Sequence, residues 1–138
     1  MPEDIQDDIS IDDTDGILRR VPNWPDMVKF DANLNTYRAT SACFSDKAGS
    51  KELSITLERP LLESGQTHQH AIVHEPKFGL ARLTAGFVRH QIQPAQKLVR
   101  EPTEKDAFHG LVVGEKSKQA KKAMAKAAVL VIRPTLSP

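Results

Sequence analysis

Short runs in which apolar and polar residues alternate dominate the chain from Gly16 onward, and this period predicts strands with one buried face. The clearest is Glu52 to Glu58, where Leu53, Ile55 and Leu57 point one way and Ser54 and Thr56 the other. Leu80 to Val88 repeats the pattern, with Ala81, Leu83, Ala85 and Phe87 on one face and Arg82 and Thr84 on the other. Gly86, inside that run, marks a bulge or a point where another backbone or a ligand comes close. Ile17 to Val21, stopped by Pro22, Met27 to Phe30, the looser Thr36 to Phe44, and Lys97 to Arg100 add further strands. Phe108 to Val113 is apolar without interruption from Leu111 to Val113 and predicts a central strand.

Helical signals are fewer. Pro60 to Gly65 reads as a helical turn closed by glycine, and Thr67 is placed to cap a second short helix running to His74. One longer helix is expected from Glu115 or Ser117 to Ala128, a stretch rich in the helix formers Ala, Lys, Gln and Met. Ala120, Ala123, Met124, Ala127 and Ala128 recur at spacings of three and four and form its packing face, with Lys116, Lys118, Lys121, Lys122 and Lys126 opposite. Val129 to Ile132 is then a final buried strand. Strand, helix and strand in succession predict a parallel pair joined by a right-handed crossover. The expected fold class is α+β, a single compact domain over residues 16 to 138 with a mostly antiparallel sheet and one C-terminal amphipathic helix leading into a final strand.

Composition changes the picture at the N-terminus. Residues 1 to 15 hold seven acids and no Lys or Arg, and the isolated Ile5, Ile9 and Ile11 are too few to offset the entropy of ordering. This segment is expected to be a disordered acidic tail, or, in a sharper reading, a mimic of nucleic acid that lies over the domain until a ligand displaces it. Without it the formal charge rises from +1 to +8, eleven acids against nineteen bases, which favours anionic partners. The 138 residues suit one core, and the single Cys43 excludes an internal disulfide framework. No apolar run reaches ten residues, so neither a membrane span nor a secretory signal is read, and a cytoplasmic protein is expected.

No diagnostic catalytic motif occurs, and no cofactor is indicated. Arg38, two residues before the hydroxyls of Thr40 and Ser41, supplies a planar fork and extra donors suited to a phosphate. Arg89 and His90 extend such an anion site, and His109, entering a strand, has the side chain suited to acid or base work near neutrality. Cys43 beside Phe44 reads more readily as a small buried hydrophobe than as a nucleophile. On a strand, His68 and His70 would share a face and, with His74, present metal-ligand chemistry, whereas a helix from Thr67 would separate them. The junction from Gly110 through Gly114 to Ser117 offers helix N-terminal amides to an anion, without the spacing of a phosphate loop. The lysines Lys118, Lys121, Lys122 and Lys126 form a candidate partner-binding face.

Leu18 to Pro22, Arg38 to Phe44, Gly79 through Arg89, and His109 through Lys118 together resemble a family of small bacterial proteins with no established activity, which implies a compact bacterial domain. A second resemblance is to ADP-ribosyl transferase-like folds. It implies a nicotinamide dinucleotide site, with Arg19 or Arg20 and Ser41 at the matching positions and Glu101 as the candidate acid. The reading that follows is a small binding or accessory module that engages an anionic or protein partner through a basic surface. A protein partner or larger assembly comes first, and a nucleic acid or nucleotide second. The alternative is a small enzyme acting on a nucleotide or phosphate ester, with Arg38, Ser41, Arg89 and His109 gathered at one pocket.

Overall fold

The computed structural model describes residues 6–46 and 48–136. In chain order the elements are β1 (Gly16–Val21), β2 (Val28–Asp31), β3 (Thr36–Ala39), β4 (Glu52–Leu57), α1 (Glu58–Glu63), β5 (Gly79–Thr84), α2 (Ala85–His90), β6 (Lys97–Arg100), β7 (His109–Val113), α3 (Lys118–Ala127) and β8 (Val129–Ile132). Among the described residues, six strands form one sheet in the order β6-β7-β4-β1-β5-β8, and β2 and β3 pair as a separate ribbon. Every neighbouring pair is antiparallel. The fold is α+β, with the last helix running into the last strand.

The expected parallel pair does not form. β7 and β8 run in the same direction, as alternate members of an antiparallel sheet must, but β4, β1 and β5 lie between them. A strand-helix-strand succession sets direction, and the pairings of β1 decide adjacency. β7 lies inside the sheet, flanked by β6 and β4, whereas β8 is an edge strand that leaves Val129 62% exposed. Helix α3 packs on the 3-10 turn Ser41–Phe44 and on β3, burying Ala120, Met124 and Ala125.

The run read as one strand from Leu80 to Val88 divides at Thr84. Its hydroxyl accepts the Phe87 N–H at 3.2 Å, and the chain turns into α2. Ala85, Val88 and Ile92, three and four residues apart, are the buried positions that follow, so the alternation inferred beyond Thr84 was the start of a helical stripe.

Alternation along the strands separates two cores. Ile17 and Val21 of β1, Leu53, Ile55 and Leu57 of β4, and Ala81 and Leu83 of β5 join the main core with Phe44, Cys43, Val88, Leu98, Val112 and Met124. The opposite face carries a smaller cluster of Leu18, Leu61, Ile72 and Leu80. The second face is covered only in part.

From Gln6 to Asp15 the acidic segment lies against the domain rather than extending as an unordered tail; the residues before it lie outside the described residues. Ile11 is 1% exposed within the main core. Asp8 N–H donates to the Leu98 carbonyl at 2.8 Å and Leu98 N–H to the Asp7 carboxylate at 2.8 Å, which closes the open edge of β6. Arg89 holds the strap by ion pairs to Asp7 (3.0 Å) and Asp13 (2.8 Å) and by donating to the Ile11 and Asp8 carbonyls. Gly86 allows the close approach, because a Cβ there would stand 3.1 Å from Asp13, whose carbonyl accepts the Gly86 N–H. The sequence count weighed hydrophobes without the arginines that the fold turns toward these carboxylates. Ile11→Ala is therefore expected to cost about 2 to 5 kcal/mol of stability in denaturant unfolding, where an unordered segment would give no change.

Candidate functional site

A cleft of about 260 Å³ opens on the partly covered face of the sheet. Leu18 and Arg20 of β1, Ser54 and Thr56 of β4, and His109 of β7 form its floor. Leu18 pairs with Thr56, and Thr56 with His109, so these three make a row across neighbouring strands. Two-residue periodicity puts Arg20 and Ser54 on the same face. One wall is the segment containing His70, Val73 and His74, and the other is the loop bearing Lys105, Asp106 and Phe108.

The first wall is the 3-10 turn His68–Ile72, fixed at two points. Ile72 enters the small core, and His68 Nε2 lies 2.8 Å from Glu58 Oε2. Arg82 Nε donates to both oxygens of Glu58 at 3.0 Å. Burial raises the Glu58 carboxyl, but the hydrogen bonds from Arg82 and His68 outweigh it and hold the group below the ordinary glutamate value. At the second wall, Asp106 accepts the Phe108 N–H at 2.9 Å, and the Phe108 ring meets His70 edge-on with centroids 5.8 Å apart.

His109 is fixed more firmly. Glu101 N–H donates to the His109 carbonyl at 2.9 Å, and His109 Nδ1 lies 3.0 Å from the Glu101 carbonyl and 3.3 Å from its Oε1. A carbonyl only accepts, so Nδ1 carries a proton, and in the neutral ring Nε2 holds the lone pair.

Arg20 stands apart from the other arginines. Arg38, Arg59, Arg82, Arg89 and Arg100 pair with carboxylates, Arg19 donates to the Cys43 and Ser54 carbonyls, and Arg133 lies over the Tyr37 ring. Among the described residues Arg20 has no such partner, and neither do Lys105 and His74. The cleft thus concentrates unpaired cations and imidazoles around one carboxylate that is engaged by its own loop.

The residues expected to share one pocket do not do so. His109 lines the cleft, but Arg38 is tied to Asp31 on the ribbon at 3.0 Å, Ser41 opens the turn that feeds the main core, and Arg89 holds the strap. His90 is joined to Asp13 at 3.1 Å. Cys43 is buried with its S–H donating to the Met27 carbonyl, and burial pushes its thiol up. His68, His70 and His74 do not converge, since in a 3-10 turn residues two apart lie about 240° apart around the axis. His68 goes to Glu58, while His70 and His74 reach the cleft. Among the described residues no three or more His, Cys, Asp or Glu are grouped to hold a metal ion.

Lys118, Lys122 and Lys126 are exposed and Lys121 half-buried along α3. Lys116 does not join that face. Its ammonium, 2.6 Å from Asp46, donates to the Gly114, Val112 and Lys51 carbonyls and fills the junction proposed for an anion. Burial draws it below the ordinary lysine value against the pull of Asp46. Missed from the sequence were Arg20 as an unpaired cation, Lys105, Phe108, and the Ser54 and Thr56 hydroxyls. The alternation of β4 already set Ser54 and Thr56 opposite the core, but nothing local pairs Thr56 with His109.

Comparison with protein families, with characterised proteins and with solved structures gave no match. Of the positions suggested by resemblance to ADP-ribosyl transferase-like folds, Arg20 faces the cleft, away from Ser41, whereas Arg19 donates to the Cys43 carbonyl within the turn that Ser41 opens. No helix among the described residues is long and apolar enough to cross a membrane.

The Glu58 cluster gives a pH prediction. Its folded value is depressed, so its contribution to stability is present above the unfolded value of about 4.3 and is lost as pH falls through the folded value. Denaturant titrations across that range are expected to show a shallower loss of stability with falling pH in Glu58→Gln than in the parent.

Proposed function

We propose that the protein is a binding module for a phosphate-bearing ligand, seated in the cleft between β1, β4 and β7. The observation that carries this reading is Arg20, the one arginine among the described residues left without a partner, in a concavity that also holds Lys105 and three imidazoles. A guanidinium presents paired donors that match phosphate oxygens, and Ser54 on the same face adds a hydroxyl. The exposed lysines of α3 contribute a positive field that draws anions toward the molecule. The charge is electrostatically long-ranged, and the recognition is local to the cleft.

A protein or nucleic-acid partner acting through Lys118, Lys121, Lys122 and Lys126 alone is the second form of the same basic-surface reading. The cleft is favoured because Arg20 and Lys105 line one concavity together with three imidazoles, whereas the lysines of α3 are spread along a helix.

Titration calorimetry with inorganic phosphate tests the proposal. Affinity is expected to fall from low to physiological salt. Arg20→Ala is expected to weaken it about tenfold or more, the effect of losing a charged hydrogen bond of about 1.5 to 3 kcal/mol. Binding indifferent to both salt and Arg20 would place the ligand elsewhere.

A further inference from the structure

The geometry points to His109 as a general base that takes a proton at Nε2 from the 2′-hydroxyl of a ribonucleotide whose 3′-phosphodiester is held by Arg20. This rests on the phosphate-binding reading and gives that site a reaction. Three features of the cleft carry it.

The first is the state of His109. Its Nδ1–H is committed to the Glu101 carbonyl at 3.0 Å, which fixes the ring and leaves the Nε2 lone pair to accept a proton. The Glu101 carboxylate, 3.3 Å from Nδ1, faces the positive charge that forms on the ring when it does. A base oriented by a third group is the arrangement that proton abstraction requires. Glu101 acts through His109 and is a positioning residue.

The second is that imidazoles come from both the floor and one wall of the cleft. In an in-line displacement the attacking and departing oxygens lie on opposite sides of phosphorus, so base and acid must be separate groups. His109 belongs to the sheet floor and His74 to the wall formed after the 3-10 turn. His68 is held by Glu58 and does not line the cleft, the His70 ring meets Phe108 edge-on, and His74, with neither a hydrogen bond nor a ring contact among the described residues, is assigned as the acid.

The third is the remaining charge. Arg20 from β1 and Lys105 from the facing loop meet the phosphate oxygens, and the one carboxylate lining the cleft, Asp106, is engaged by the Phe108 N–H. At about 260 Å³ the cleft is below the usual ligand pocket of about 300 to 1,000 Å³. It suits a phosphate and its sugar, and a nucleophile already on the sugar needs no second binding place.

The step balances without a further reactant. The 2′ oxygen forms its bond to phosphorus as its proton passes to His109 Nε2. The bond from phosphorus to the 5′ oxygen of the next nucleotide breaks, and that oxygen takes a proton from the His74 imidazolium. The products are a 2′,3′-cyclic phosphate and a free 5′-hydroxyl, and proton exchange with water restores both rings.

Incubation of the full chain with uridylyl-3′,5′-adenosine, followed by chromatography of the products, tests this. The cyclic phosphate is expected, with a bell-shaped dependence of rate on pH, and no cleavage of the 2′-deoxy analogue. His109→Asn keeps an N–H for the Glu101 carbonyl and removes Nε2; it is expected to lower the rate by about 10²- to 10⁴-fold. Should that variant not fold, Glu101→Gln is expected to reduce kcat with KM unchanged. Equal cleavage of the deoxy analogue, or a folded His109→Asn with the parent rate, overturns the assignment. No cleavage by a protein whose phosphate binding still depends on Arg20 overturns the reaction and leaves the binding module standing. Loss of both removes the phosphate reading itself.

Discussion

The fold depends on β1, six residues that pair along both edges and must serve both faces of the sheet. Ile17 and Val21 enter the main core, and Leu18 enters the smaller one. The same alternation parts two adjacent guanidinium groups that repel one another. Arg19 turns toward the main-core side, where burial draws it below the ordinary arginine value and the carbonyls of Cys43 and Ser54 take its donors. Arg20 is left on the other side, at the cleft floor. Strand geometry, before any contact with a ligand, puts an exposed cation on the partly covered face.

Charge elsewhere is settled internally. The acidic strap carries Asp7, Asp8, Asp13 and Asp15 to Arg89, Arg100, His90 and Arg59, so much of the apparent basic excess is neutralised by the chain's own N-terminal segment. Ile11 sinks into the main core and ties that segment to the fold. Displacing such a strap would expose a core side chain and strand several arginines. The cleft and the outer face of α3 are among the places that remain positive.

The histidines show how position decides chemistry. His68 is held by Glu58 and anchors a wall; His70 packs its ring on Phe108; His109 gives one nitrogen to the backbone of Glu101 and keeps the other. One residue type thus serves as a structural tie, a packing surface and a proton-accepting group. The distinction lies in which nitrogen has already found a partner.

Local pattern was enough to predict the strands from Glu52 and from Lys97, the α3 helix and the α+β class, because period two and period 3.6 act within a few residues of sequence. It also named His109 as a candidate. The ordered strap, the division of the Leu80 run at Thr84, the edge position of β8 and the company His109 keeps were decided by tertiary structure. Each depends on pairings between distant residues, such as Asp13 with Arg89, Gly86 with Asp13, or Thr56 with His109. A side chain's neighbours across a sheet are set by strand order and register, and those are fixed by burying both faces at once, a condition no short window of sequence contains.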